Sequence, residues 1–409
     1  MHLDWKEVSN YLKILPKNFD YLLILQIIPL LIISSILIKE INPALFTKQM
    51  IYYTVGAMAF LIAVFIPWER ILWWFAPLSY LLNLLLLLAV DVAGKSILGA
   101  RRWLPIPGTG MTVQPSEFIK ISVLLMLAYL IYRNPPPKEG YGFKDFLKLS
   151  VIIIIPFLLI AKEPDLGTAM VLLLTGYGVL FLVGVRWRVW FTVLLLTALA
   201  APVLYNHLHD YQKKRISDFL GKPSYHVRQA LIAIGSGGLE GKPKEEATQT
   251  QLKFLPISSS DFIFAYLGER FGFKGMLTVI TLYILLIVHL LYLSRIYEQN
   301  YLIKTVAGGI AFLIFIYMGV NIAMIIGMAP VVGVPLPMFS HGGTSFIIFA
   351  VLFGILINLI AFRRYFQYNA DAKITMMGKG ELQQPSPNLP RPIRERRRRK
   401  EGTSPSEGL

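Results

Sequence analysis

The stretch Phe254–Gly275, FLPISSSDFIFAYLGERFGFKG, joins a long polar insertion to an apolar run of about twenty residues, long enough to cross a bilayer. It sets one carboxylate, Asp261, after three serines and before Phe262-Ile263-Phe264. A carboxylate at the edge of the hydrocarbon is costly and marks function by default. The same residues, Ser258 to Asp261 ahead of an apolar run, also make a good helix N-cap. Taken by themselves they leave both readings open. What they decide is the fold class, because apolar runs like the one that follows recur along the chain.

The 409 residues are 55% hydrophobic and 16% charged, with a mean hydropathy of +0.57, and the apolar runs last about 18 to 25 residues each. A soluble chain of this length rarely carries so many. The sequence contains no cysteine, which excludes a disulfide framework and Cys-based zinc or redox sites. The first run, Tyr21–Ile38, continues into further spans and reads as a retained span, not a cleaved leader.

Spans are expected near Tyr21–Ile38, Met50–Ile66, Ile71–Val90, Phe118–Tyr132, Phe146–Ala161, Gly167–Val185, Val189–Tyr205, Lys274–Ser294, Lys304–Ala329 and Thr344–Phe362. The predicted fold is therefore an all-α polytopic membrane protein of about ten transmembrane helices. A large extracytoplasmic loop, residues 206–273, separates the seventh and eighth. Very short turns join the fifth, sixth and seventh spans, which predicts antiparallel neighbours. No internal repeat is evident, so an inverted-repeat transporter is not indicated.

Lys and Arg in short loops set the orientation. Lys6, Lys13 and Lys17 at the amino end, Arg133, Lys138, Arg186, Arg188, Arg295 and the carboxyl-terminal Arg363, Arg364 and Arg396–Lys400 fall on one side, predicted cytoplasmic. Three segments follow: a cytoplasmic amino-terminal piece, 1–19; a membrane domain, 20–366; and a disordered basic tail, 367–409. Much of the +16 net charge sits in this tail, where it fits topology anchoring or contact with anionic lipid. No nucleic-acid motif accompanies it.

Charged residues gather at the outer ends of the spans. Arg101, Arg102 and Trp103 after the third span suit a phosphate at headgroup depth, since guanidinium binds phosphate bidentately; interfacial anchoring explains them equally well. Gln114 leads into Glu117 and Lys120, three apart on one helix face, an arrangement most often structural. Lys162 and Asp165 form another such group, and Asp91 with Lys95 closes the third span. His207 and His209 point to different sides of a helix, and His289 reads as a packed, hydrogen-bonded residue.

Five blocks occur in a fixed order: GARRW with QPSEFIK, EPDLGTA, AIGSGGLEGK, TQTQLKFLP followed by DFIFAYLGERFGFKG, and PLPMFSHGGTS. Together they resemble the SEDS (shape, elongation, division and sporulation) membrane glycosyltransferases, over roughly Asp20 to Phe366. The run from GSGG to GERFGFKG is closer to the elongation branch, RodA, than to the division branch, FtsW. The resemblance implies a polymerase that extends peptidoglycan strands from lipid II on the outer face of the bacterial cytoplasmic membrane. It places the family's essential aspartate on Asp261, its Glu and Lys on Glu117 and Lys120, its double arginine on Arg101 and Arg102, its PDLG aspartate on Asp165, and its GE pair on Gly268 and Glu269. It also implies a class B penicillin-binding protein as partner, along with other elongation-complex proteins.

The chain departs from the family pattern in several places. Ile257 and Ser259 stand where Glu and His are common, Pro243 and Ala247 where glycines are usual, Arg270 for a glutamate, and His341 for a tyrosine.

The expected chemistry joins a base to cations. Asp261 would deprotonate the acceptor 4-hydroxyl, with inversion at an α-pyrophosphate giving a β-1,4 link. Arg101, Arg102, Lys120 or Lys162 would hold the leaving pyrophosphate. A divalent ion, magnesium or manganese, could share that task, although no dedicated ligand set is visible. A lipid II flippase and a non-catalytic scaffold are the alternatives. The first needs ionisable residues deep on both sides of the midplane, and the second needs no carboxylate-cation cluster.

Overall fold

The computed structural model describes residues 15–97, 100–105, 112–163, 165–206, 213, 221, 224–255 and 257–377. At 91, 95–97, 100–101, 112, 203–204 and 364–377 the description is of the backbone alone. The readings made above for Lys6, Lys13, His207, His209 and Arg396–Lys400, and for the side chains of Asp91, Lys95, Arg101 and Arg364, lie outside the described residues.

Twelve α-helices and a small sheet carry the described chain. Ten helices are long: α1 (Tyr21–Ile41), α2 (Pro43–Phe65), α3 (Trp68–Ala93), α4 (Pro115–Arg133), α5 (Phe143–Lys162), α6 (Leu166–Val183), α7 (Trp187–Asn206), α10 (Ile263–Ile296), α11 (Tyr301–Ile325) and α12 (Gly343–Met377). Two are short, α8 (Tyr225–Gly237) and α9 (Thr248–Gln251). Eight of the long helices are long and apolar enough to cross a membrane, and the first 16 residues of α7 (Trp187–Pro202) form a shorter apolar one. The protein is a polytopic, multi-span membrane protein. Starts are written in the sequence: Asp20 caps α1, Asn42 precedes Pro43 at the head of α2, and Asn300 accepts from two backbone amides of α11.

The span of α12, Gly343–Arg363, is 83% buried, and those of α4, α6 and α11 are 61% buried; α2 is 22% buried. The first four therefore form the centre. Helices α1, α2, α3, α7 and α10 present Leu, Ile and Trp outward, as a lipid-facing layer should. Helix α11 packs on α4, α6 and α10, and α10 on α1 and α8. Helices α5 and α6 are neighbours as expected. Helix α7 meets them through its first turn, where Trp190 rests against Phe146, Tyr177 and Phe181, while Leu194, Leu195, Leu196 and Leu199 stay exposed. The chain divides into two compact units at Phe362/Arg363.

Three expectations change. The eighth long helix does not begin at Lys274 but at Ile263, and it is broken inside the run at Gly272 (φ 62°, ψ −162°). Gly272 lies against Leu239, and its positive φ is one that residues with a Cβ rarely adopt, so the helix turns there as it leaves the polar insertion. The segment read as a loop after the third span is a hairpin, β1 (Lys95–Ile97) with β2 (Ala100–Pro105) and then β3 (Thr112–Val113), all antiparallel. The polar insertion is also built, with α8 and α9 inside it. Charged Arg270 of α10 pairs with Glu40 at the end of α1 at 2.9 Å and donates to the Lys242 carbonyl at 2.7 Å, fastening the insertion to the bundle.

Candidate active site

Asp261 does not cap a helix. The residue before Ile263 is Phe262, which makes no side-chain cap, and Asp261 lies one residue earlier in a tight turn, Ile257–Phe262. The turn opens on Ile257 at φ 52°, and the amides of Ser260 and Phe262 both donate to the Ile257 carbonyl. Of the two readings open in the sequence, the bland one is removed.

Three successive carbonyls of this turn are held from outside it. The His341 amide donates to Ser259 O (2.9 Å), Ser340 Oγ to Ser260 O (2.6 Å) and Asn321 Nδ2 to Asp261 O (2.8 Å). Ser340 and His341 belong to the proline-rich segment before α12, and Ser340 Oγ also accepts from the Leu336 amide. Gly333, at φ 67°, lies beside the carboxylate: a Cβ there would sit 3.4 Å from Asp261 Oδ2. Burial pushes the Asp261 carboxyl above its ordinary value, and a hydrogen bond from the Ser260 side chain pulls the other way. Among the described residues Asp261 forms no salt bridge.

A second group stands at the head of α6. Asp165 caps that helix, accepting from the Thr168 amide at 3.2 Å. It also accepts from Gln114 Nε2 at 3.0 Å and pairs with Arg102 at 3.6 Å. The hairpin brings Arg102 here, and Arg102 Nε reaches the Glu163 carbonyl at 3.4 Å. Next in the helix, Gly167 packs on the Val332 carbonyl, one residue from Gly333 and so from Asp261. The Val332–Gly333 segment thus passes both the head of α6, where Asp165 holds Arg102 and Gln114, and the Asp261 carboxylate.

Glu117 and Lys120 pair at 2.6 Å, as their spacing predicts, and Lys120 also hydrogen-bonds the Tyr317 hydroxyl. The Lys120 side chain is only 3% exposed, so it is locked into the bundle and is not free to reach a ligand. Glu269 is fully buried and accepts from the amides of Gln249 and Thr250 and the Thr250 hydroxyl; it ties α9 to α10, a structural clamp for the polar insertion. Lys162 is exposed at the end of α5, and Trp103 lies half-buried in β2 beside Arg102. His289 is hydrogen-bonded as expected, to Gln26 at 2.9 Å, and it also faces Asp20 at 3.2 Å. Among the described residues no three His, Asp or Glu side chains gather to hold a metal ion.

Sequence reasoning missed Tyr317, Asn321 and Ser340. Tyr317 and Asn321 are four apart in the apolar run of α11, a polar pair on one face that intramembrane polarity alone could have flagged. Ser340 carries no such signal.

The sequence profile of the FtsW/RodA/SpoVE cell cycle proteins matches residues 12–365. The chain belongs to this family. It is 52% identical over 362 residues to the peptidoglycan glycosyltransferase MrdB of Helicobacter pylori (strain J99), covering 88% of this chain and 95% of that protein. Against the peptidoglycan glycosyltransferase MrdB of Escherichia coli (strain K12) the identity is 38% over 361 residues, covering 85% and 95%. The crystal structure of the rod shape determining protein RodA of Thermus thermophilus superposes with a TM-score of 0.63 at 25% identity, over 84% of this chain and 97% of that one. A chain from a peptidoglycan synthase complex that coordinates polymerization and crosslinking shares the fold, with a TM-score of 0.73 at 24% identity, over 85% and 99%.

Proposed function

We propose that this chain is a peptidoglycan glycosyltransferase that polymerises lipid II during cell elongation, with Asp261 as general base. Its activity class follows the names of relatives that match it along most of their length. The observation that carries the site is the Asp261 carboxylate, largely buried, without a salt bridge among the described residues, and fixed by three consecutive carbonyl anchors. A base needs a set position and a proton affinity above that of a solvated carboxylate, and this arrangement supplies both.

In the reaction the acceptor 4-hydroxyl gives its proton to Asp261. Its oxygen then bonds to the anomeric carbon of the second sugar, and the carbon–oxygen bond to undecaprenyl pyrophosphate breaks, its electron pair leaving with the phosphate. Arg102 is the cation best suited to meet that charge, since its side chain is 24% exposed and is held by Asp165 at the head of α6. Arg101, adjacent to Arg102 in sequence, and Lys162, three residues before Asp165, are further candidates. Lys120 serves through the packing of α4 on α11. A magnesium or manganese ion, where bound, would add charge neutralisation at the pyrophosphate.

The charge bias supports both termini in the cytoplasm and the site on the outer face. The reading also includes a class B penicillin-binding protein as partner, docked on lipid-facing helices such as α10. Purified protein given labelled lipid II tests the activity: the expected product is glycan polymer. Translocated lipid without polymer would point to a flippase, and neither product, with or without the transpeptidase, would contradict the proposal.

A further inference from the structure

We infer that Asn321 is the positioning residue for Asp261, through the main chain of the turn that carries it. This rests on the reading of Asp261 as base.

Asn321 lies near the end of α11 and is fully buried. Its Nδ2 donates twice, to the Asp261 carbonyl at 2.8 Å and to the Val334 carbonyl at 2.7 Å. Both partners are pure acceptors, so the amide has one workable orientation: the NH2 faces the two carbonyls. One side chain therefore staples the aspartate's own peptide to the strand of backbone that places Gly333 beside the carboxylate. The anchors of Ser259 and Ser260 come from the loop before α12, whereas Asn321 ties the turn to the transmembrane helix α11. Among the described residues its Oδ1 has no hydrogen-bond partner, as is also true of Asn358, so the donor pair and not the oxygen sets Asn321 apart.

Tyr317 lies one turn earlier on the same face and holds Lys120. The polar face of α11 thus spans both the Glu117–Lys120 pair and the catalytic turn. Other titratable groups around the turn are His226 of α8, whose ring stacks 6.0 Å from that of Phe262, and His341, whose amide anchors Ser259. Neither forms a salt bridge with Asp261.

The test is steady-state polymerisation of labelled lipid II by purified full-length protein, with its pH profile, for Asn321→Leu and for Asn358→Leu. Asn358 is a matched control. It is also fully buried, donates to one carbonyl (Val64, 2.7 Å), and leaves its Oδ1 without a partner. Asn321→Leu is expected to lower kcat about 10- to 100-fold with little change in KM, the size of loss that a misplaced reacting group produces. Its rising kcat limb should move to lower pH, because a loosened turn lets water reach the carboxyl and returns it toward its ordinary value. Asn358→Leu should lose folded protein at most and leave the profile where it was. Should Asn321→Leu not accumulate in the membrane, Asn321→Ser keeps one donor and should shift the limb the same way with a smaller loss. Activity that tracks only the folded fraction, with an unmoved pH profile, overturns the inference. Asp261→Asn in the same assay separates the two claims: if it polymerises normally the reading of Asp261 fails, whereas an unmoved Asn321 profile beside an inactive Asp261→Asn removes only this inference.

Discussion

Asp261 is held against its own solvation. The carboxyl is pushed up by burial, so between its ordinary and its raised value the folded protein binds more protons than the unfolded chain. Stability therefore falls as pH rises through that window, and the ionised base is carried at a cost. Asp261→Asn removes the charge and should leave thermal stability in detergent at neutral pH equal or higher; a marked loss of stability would mean that the carboxylate is a structural partner after all. The same shift places the rising limb of the wild-type pH–rate profile above the usual carboxylate range, and a limb at or below pH 4 would contradict the buried geometry. The sequence could pick out Asp261 as a residue but could not choose between cap and base. The cap reading depends on where the helix begins, and it begins at Ile263 with Phe262 at its head; the role as base is the proposal.

The spans were legible from length and hydropathy because the bilayer sets both. Their joints were not. The break at Gly272 and the hairpin after α3 are made by contacts with distant residues, Leu239 in one case and Asp165 with Glu163 in the other. Arg270 shows how a departure from the family pattern becomes sensible only in three dimensions, because its partner Glu40 is 230 residues away, at the far end of α1. Both side chains are mostly buried, at 20% and 16% exposure. Charge reversal of either should destabilise the protein, and the double reversal Glu40→Arg with Arg270→Glu should recover part of the loss. A double-mutant cycle by thermal unfolding should give a coupling of about 1–3 kcal/mol, and additive effects would show the pair to be incidental. Gly272→Ala should cost about 1 kcal/mol or more, from the positive φ and the contact with Leu239, without changing which helices cross the membrane.

The molecule sets four buried helices inside a lipid-facing layer and puts its polar chemistry at one end of them. That division was readable in outline, since the charged blocks fall at span ends, but their spatial link was not: the Val332–Gly333 segment, which passes both the head of α6 with its Arg102–Asp165 pair and the Asp261 carboxylate, has no charge and no motif to announce it. The proposed orientation can be checked in a chain that has no native cysteine. Single cysteines in the 206–273 region should label from outside sealed cells and those in the 396–400 segment should not; the reverse pattern would move the site to the wrong face for lipid II on the outer leaflet. Purification in mild detergent should retain a class B penicillin-binding protein and polymerisation should rise with it; loss of both effects would remove the partner from the account. The central claim, a glycan polymerase driven by one carboxylate, is tested most directly by wild type and Asp261→Asn side by side on labelled lipid II, both shown to be folded in the membrane. The account predicts long glycan from the first and at least about a 100-fold lower rate from the second. Long glycan from the folded variant at the wild-type rate would contradict it.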